Sequence, residues 1–294
     1  MFGFEIEFLK FLEGIRTDFL NKIFELVTMI GEDVVVIVVI AIIYFIIDKK
    51  LAQKILYTTA ISMGVNGVIK NLVKIPRPWT TGEVTCVRES TATGYSFPSG
   101  HTQTISTYAS AFAINLKKKW FSILSVIIII LVAFSRMYLG AHYPSDVIVG
   151  ALLGVGFAFL GNFLYDKVAN KKSLLLYTCL AYIPFVIFFL FNADEHSADF
   201  YKMYGLLAGF SLSVLFEDCF VNFSNEGLLW KKIIKTIIAL LVALGIKSGV
   251  KVLFGLLPFA DITWCLLLLD AIRYCILAFV CLGGLPYIYK KLKL

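Results

Sequence analysis

The sequence is short of charge. Of its 294 residues, 16% are Asp, Glu, Lys or Arg and 59% are hydrophobic, where a soluble domain carries about 25% charged residues. Such a chain cannot cover a water-facing surface of ordinary polarity, which excludes a soluble globular domain. Histidine is scarce as well, with three in the chain. The six cysteines form no pattern: Cys179, Cys219, Cys265, Cys275 and Cys281 lie in or beside apolar runs, where cysteine behaves as a small hydrophobe. Cys86 alone sits in a polar loop, without an obvious partner. Neither a disulfide framework nor a Cys/His zinc spacing is present. No basic leader with a cleavage site opens the chain, so a removable signal peptide is not expected.

What the sequence has in abundance is apolar runs of near twenty residues, each bounded by short polar or basic segments. Lipid offers no partner to an unpaired backbone group, so such runs are membrane-spanning helices. The expected fold class is all-α, a polytopic helical membrane protein of about nine transmembrane helices. The spans fall at about 33–48, 52–74, 101–116, 120–139, 145–167, 173–191, 200–222, 231–256 and 263–288. The apolar core of the first, Val34–Ile47, is short for a crossing, so part of the preceding helix is expected to contribute. Residues 4–30 mix charges with Phe, Leu and Ile and read as amphipathic helices lying in the interface. Three regions result: 1–32, the interfacial segment; 33–168, the core; and 169–294, a four-helix membrane extension.

The net charge of +7 invites a nucleic-acid partner, and the placement of the charge removes it. Lysines gather at span ends: Lys49, Lys50 and Lys54; Lys117–Lys119; Lys167, Lys171 and Lys172; Lys231, Lys232 and Lys235; Lys290, Lys291 and Lys293. With nine spans all five groups face one side, the cytoplasm by the positive-inside rule. The N-terminal segment and the loops 75–100, 140–144 and 192–199 then face outward. A lysine- and isoleucine-rich composition points to a bacterial plasma membrane.

Three segments on that outward face carry chemistry. Lys70 and Arg77-Pro78 close the second span; Pro98-Ser99-Gly100-His101 opens the third; Ser135-Arg136, His142 and Asp146 bridge the fourth and fifth. Lys70, Arg77 and Arg136 are three cations, two with the planar fork that fits phosphate oxygens. Ser99 and Gly100 open a helix, where free N–H groups and the positive dipole end favour an anion, and glycine allows close approach. His142 and Asp146, four apart at another helix start, let the carboxylate hold one ring nitrogen and leave the other as nucleophile. His101, on a separate helix, is placed as general acid. The plainer reading treats each alone: basic residues at span ends snorkel, and prolines punctuate helices. Coincidence of all three segments on one topological side favours a site.

These segments, in order and spacing, resemble the three signatures of the type 2 phosphatidic acid phosphatase superfamily, over roughly residues 50–168, with no departure at a signature position. The resemblance implies a phosphatase helical core acting on a lipid phosphate or diphosphate, such as undecaprenyl diphosphate, phosphatidate or phosphatidylglycerophosphate. It implies His142 as nucleophile forming a phosphohistidine, Asp146 orienting it and His101 protonating the leaving oxygen. Lys70, Arg77, Ser99, Gly100 and Arg136 would hold the phosphoryl oxygens, with neither metal ion nor cofactor. Phosphotransfer to another acceptor shares the first half-reaction. A non-catalytic lipid-translocating protein would not need the nucleophile and its carboxylate, and the haloperoxidases that share the signatures are soluble.

Outside the match, ionisable residues stand at membrane depth: Glu217, Asp218, Lys247, Lys251, Asp270 and Arg273. Asp270 and Arg273 are spaced to pair with each other, while Glu217, Asp218 and Lys251 sit near span ends where exposure is expected. Asp194, Glu195, His196 and Asp199 read as a solvated acidic turn before a metal site. Asn222-Phe223-Ser224 matches a glycosylation sequon but falls on the cytoplasmic side.

Overall fold

The computed structural model describes residues 3–258, 262–292 and 294, and among the described residues there is no strand. Lys293 of the C-terminal basic group and the first two residues of the interfacial segment lie outside them. The helices are α1 (Gly3–Gly14), α2 (Asp18–Met29), α3 (Asp33–Ile42), α4 (Lys49–Val73), α5 (Gly100–Leu116), α6 (Lys119–Tyr138) and α7 (Pro144–Lys167). There follow α8 (Lys171–Phe191), α9 (Ala198–Phe216), α10 (Leu229–Gly245), α11 (Lys251–Gly255), α12 (Thr263–Phe279) and α13 (Leu285–Lys291). π-Helical turns extend α3 to Ile47 and α9 to Val221, and join α10 to α11 and α12 to α13. Each of the nine expected spans falls on one of these helical stretches.

Among the described residues, six stretches are long and apolar enough to cross a membrane: α6, α7, α8, α9, the joined α10–α11 and the joined α12–α13. α2 and α3 pass together as a pair bent by 49°, so the helix before the first expected span does contribute to it. Gly31 forms that bend, where an added Cβ would meet the His101 carbonyl at 2.9 Å. α4 falls short of the apolar criterion for a physical reason, and α5, at 17 residues, falls short in length. They are the innermost helices and face protein rather than lipid. Thr58, Thr59, Ser62, Asn66 and Asn71 of α4 and Thr102, Gln103, Ser106 and Thr107 of α5 are all buried. These side chains satisfy one another. The Asn66 amide donates to Gln103 Oε1 at 2.8 Å, the Gln103 amide to the Ser62 carbonyl at 2.8 Å, and the Ser62 hydroxyl to the Thr107 hydroxyl at 2.8 Å, which itself donates to the Gln103 carbonyl. The outside reverses the pattern, with Ile130, Leu152, Phe163 and Leu241 exposed on α6, α7 and α10. Polar inside and apolar outside is the solvation pattern of a multi-pass membrane protein.

Two helix pairs pack backbone to backbone. On α7, Cβ atoms at Gly150 and Gly154 would strike the Ser99 carbonyl at 2.8 Å and the Gln103 carbonyl at 2.6 Å of the α5 strand of contacts. On α9, Gly205 and Gly209 lie against the Ala271 and Cys275 carbonyls of α12. Small residues four apart are the general device for close helix approach in lipid.

Five of the charged residues at membrane depth enter ion pairs, and Lys251 is exposed as expected. Arg273 Nη2 donates to Asp270 Oδ1 at 2.6 Å, and Lys247 Nζ to Asp33 Oδ2 at 2.6 Å. Asp218 is exposed and meets Lys172 Nζ at 3.4 Å. Glu217 corrects the expectation of exposure: it is buried, accepting from Lys49 Nζ at 2.9 Å and from the Phe223 N–H at 2.5 Å. Its partners come from the loop after α9 and the start of α4, a tertiary arrangement invisible in local sequence. The 194–199 turn docks on the 75–100 loop. Asp194 accepts from the Tyr95 hydroxyl at 2.7 Å, Asp199 accepts from the Thr93 hydroxyl at 2.9 Å, and the His196 ring stacks on Tyr95 at 4.7 Å.

Candidate active site

Three chain segments deliver the site. α6 ends at Tyr138, and Gly140 takes a left-handed turn (φ 74) that brings Ala141 and His142 inward before α7 starts. Pro144 occupies the first turn of α7, where its missing N–H costs nothing. Asp146 in the same turn accepts from the Tyr143 N–H through Oδ2 at 2.9 Å, capping the helix. The same oxygen lies 3.1 Å from His142 Nδ1 and accepts a hydrogen bond from the Ser96 hydroxyl. Ser99 caps α5, its hydroxyl accepting from the Thr102 N–H at 3.5 Å and its own N–H donating to the Asp146 carbonyl at 3.0 Å. The starts of α5 and α7 are thereby fixed to each other.

Arg77 reaches across from the loop after α4. Its Nη1 donates to His142 Nε2 at 2.8 Å and to the Ala141 carbonyl at 3.1 Å, its Nε donates to the Gly94 carbonyl at 3.0 Å, and its Nη2 donates to the Thr93 carbonyl. Guanidinium can only donate, so His142 Nε2 must carry a lone pair and the ring proton sits on Nδ1, facing Asp146. Burial, reinforced by the nearby Arg77 charge, holds His142 well below the ordinary imidazole range, so the ring is neutral at pH 7. Burial also pushes Arg77 down to about 10, which leaves it charged at neutral pH. Lys70 donates to the Tyr95 carbonyl and, at 3.3 Å, to the Ser96 carbonyl.

Lys70, Arg77, Gly100, His101 and His142 line one cavity. Arg136 and Ser99 are not part of its lining. Arg136 is fully buried, with Nη1 donating to the Thr28 hydroxyl at 3.0 Å, and its Nε and Nη2 have no protein partner. His101 Nε2 and Asp146 Oδ1 are likewise buried without one. The charge balance is lopsided. Lys70 (4% exposed), Arg77 (6%) and Arg136 (0%) are three buried cations against one buried carboxylate among these residues, Asp146 (0%). Buried positive charge in such excess, with free guanidinium donors, fits an anion of several oxygens.

Of the eight residues expected from sequence, five line the cavity, Asp146 bonds to His142, Ser99 donates to the Asp146 carbonyl, and Arg136 is buried with its carbonyl accepting from the Ala141 N–H. Sequence reasoning missed Ser96, which fixes the carboxylate, and Thr28, which α2 brings to Arg136. An uncharged hydroxyl stands out in no pattern of charge or spacing; the one available signal for Ser96 is its place in the polar loop just before Pro98-Ser99.

Helical spans that enclose buried cations, a neutral histidine and its carboxylate define a membrane protein built around an anion site. Comparison with known proteins gives the particular family: residues 51–170 match the PAP2 superfamily, and residues 201–294 match the transmembrane extension of PAP2 superfamily phosphatases. The chain belongs to the PAP2 superfamily. It is 33% identical over 171 residues, 58% of this chain and 82% of the relative, to an undecaprenyl-diphosphatase of Sulfolobus acidocaldarius. It is 26% identical over 238 residues, 72% of this chain and 56% of the relative, to a probable sphingosine-1-phosphate phosphatase of Dictyostelium discoideum. The crystal structure of Aquifex aeolicus LpxE aligns over 53% of this chain and 92% of its own, with 23% identity and a TM-score of 0.47.

Proposed function

We propose that the protein is a lipid phosphate or diphosphate phosphatase that works through a phosphohistidine at the outer face of the plasma membrane. The observation that carries this is the Arg77–His142–Asp146 chain: a neutral imidazole whose Nε2 bears a lone pair while Asp146 holds Nδ1–H. When a phosphoryl group enters, its oxygens accept from Arg77, Lys70, Arg136 and the N–H groups opening α5, and Arg77 turns from Nε2 to phosphate. Nε2 then attacks phosphorus as the P–O bond to the lipid breaks, and Asp146 stabilises the imidazolium that forms. His101 donates a proton to the leaving oxygen. In the second half-reaction water, relieved of a proton by His101, attacks the phosphohistidine and releases inorganic phosphate.

The outward location rests on the five lysine groups at the opposite span ends, given nine crossings. Undecaprenyl diphosphate suits a site on that face, and the similarity to an undecaprenyl-diphosphatase supports that class. The test is phosphate release by purified protein in detergent across undecaprenyl diphosphate, phosphatidate, phosphatidylglycerophosphate and sphingosine phosphate, with trapping of 32P-labelled protein. We expect release and an acid-labile, base-stable phosphoprotein, both lost in His142→Ala. Undiminished release in that variant would refute the mechanism, and labelled protein with transfer to an acceptor other than water would make it a phosphotransferase.

A further inference from the structure

The cavity that holds Lys70, Arg77, His101 and His142 does not end with them. It has a volume of about 820 Å³ and continues between α3, α4, α9, α10 and α12. Leu56, Ala60, Met63, Gly67 and Lys70 line it along one face of α4. The fourteen helical steps from Leu56 to Lys70 make it about 21 Å deep along that helix, some two thirds of the roughly 30 Å hydrocarbon core of a bilayer. The other helices share its polarity. α3 lines it from Asp33 to Phe45, α10 with its π turn from Lys247 to Ala239, and α12 with its π turn from Arg273 to Leu282. Each is charged at the mouth and apolar at the far end. Phe45, Leu56 and Leu282, all buried, form the floor.

α10, α12 and all but the first turn of α9 lie within residues 201–294, outside the region that supplies the phosphate machinery. They are tied to the core at the mouth: Lys247 Nζ donates to Asp33 of α3 at 2.6 Å, and Arg273 Nη1 of α12 donates to the Lys247 carbonyl at 3.2 Å. The wall is thus fixed beside the phosphate site.

We propose that the transmembrane extension is the tail-recognition half of the enzyme. One hydrocarbon tail of the substrate lipid, continuous with the phosphate at His142, occupies this channel, and the floor sets the tail length that fits. The inference rests on the phosphatase reading above. Continuity with the phosphate site singles out the substrate's own tail as occupant, since the apolar channel opens directly below the groups that hold its headgroup.

The experiment compares kcat/KM for a homologous series of single-chain alkyl phosphates, short to long, in wild type, Ala243→Phe and Leu282→Ala, using the full chain in detergent. Each methylene buried is worth about a fourfold gain, so wild-type kcat/KM climbs with tail length and then levels off. Ala243→Phe narrows the channel and moves the plateau to shorter tails. Leu282→Ala lowers the floor and moves it to longer ones. Turnover of the shortest phosphate, which does not reach the floor, stays within twofold of wild type and reports that each variant is folded. A plateau unmoved in both variants, with short-chain turnover intact, overturns the channel while leaving the phosphatase standing. A wild type that releases phosphate from no member of the series overturns the functional reading, and the channel with it.

Discussion

The two halves of the molecule share one packing device and differ in what stands beside it. Glycines bring helix backbones together in both, at Gly150 and Gly154 between α7 and α5 and at Gly205 and Gly209 between α9 and α12. In the core, buried amides and hydroxyls are added, the Asn66–Gln103–Ser62–Thr107 chain between α4 and α5 above all. Near the start of α4 Lys54 Nζ donates to Asn115 Oδ1 at 2.9 Å, whose amide donates to Asn162 Oδ1 at 2.6 Å. Beside α9 and α12 the wall is mostly apolar instead. Directional hydrogen bonds specify one arrangement and locate side chains closely, as phosphoryl transfer requires. Contact through glycine gives close packing with few polar groups, which suits a surface that meets hydrocarbon.

Perturbing each half separately tests that contrast. The largest effect belongs to the core: His142→Ala lowers kcat by about 10⁴-fold or more, with melting temperature near that of wild type, read by phosphate release and thermal unfolding. Asp146→Asn keeps the hydrogen-bond geometry but lets the ring take the wrong tautomer, and kcat falls by about 10²- to 10⁴-fold, as in comparable His–Asp pairs. A pH profile with altered acid limb would separate that from misfolding. In the extension, Gly209→Leu drives a side chain into the Cys275 backbone. It should cost about 3 kcal/mol, seen as early proteolysis of residues after α8, with short-substrate turnover reduced less than stability.

Smaller effects follow from titration and from surface pairs. Burial holds His142 neutral well below the ordinary value, whereas in the unfolded chain it gains a proton near pH 6.5. Below that pH the unfolded state binds the extra proton, so stability falls by about 1.4 kcal/mol per pH unit until the folded value is reached. The melting-temperature difference between wild type and His142→Gln should therefore change between pH 7.5 and 5, and constancy across that window would refute the neutral assignment. Lys172→Ala, which removes an exposed pair with Asp218, should change stability by less than about 1 kcal/mol.

Much of this was legible in sequence because polar residues are conspicuous in an apolar chain. Lys70, Arg77, Arg136, His101, His142 and Asp146 stood out as charge or imidazole beside long hydrophobic runs. Each expected span also falls on a helix, while six of the helical stretches among the described residues are long and apolar enough to cross a membrane. Hydropathy faltered where tertiary context decides: α4 is too polar for the criterion because neighbouring helices replace lipid. Glu217 read as a span-end charge because Lys49, far away in the chain, could not be seen beside it. Ser96 and Thr28 carry no charge, so their roles became visible only when the loop and α2 closed over Asp146 and Arg136.

Asp146 Oδ2 receives three donors at once, from the Tyr143 backbone, the Ser96 hydroxyl and His142. One oxygen thus serves both as the first fastening of a helix and as the reference point for the His142 ring, whose nitrogen is the proposed nucleophile. The position of that nitrogen is inherited from main chain rather than set by a free side chain, so its positional error is that of the helix start. Damage to the first turn of α7, even by a residue that faces away from the cavity, would silence the chemistry before the fold was lost. A protein whose remaining surface is fluid lipid gains from this a fixed datum at the single place where ångström tolerance matters.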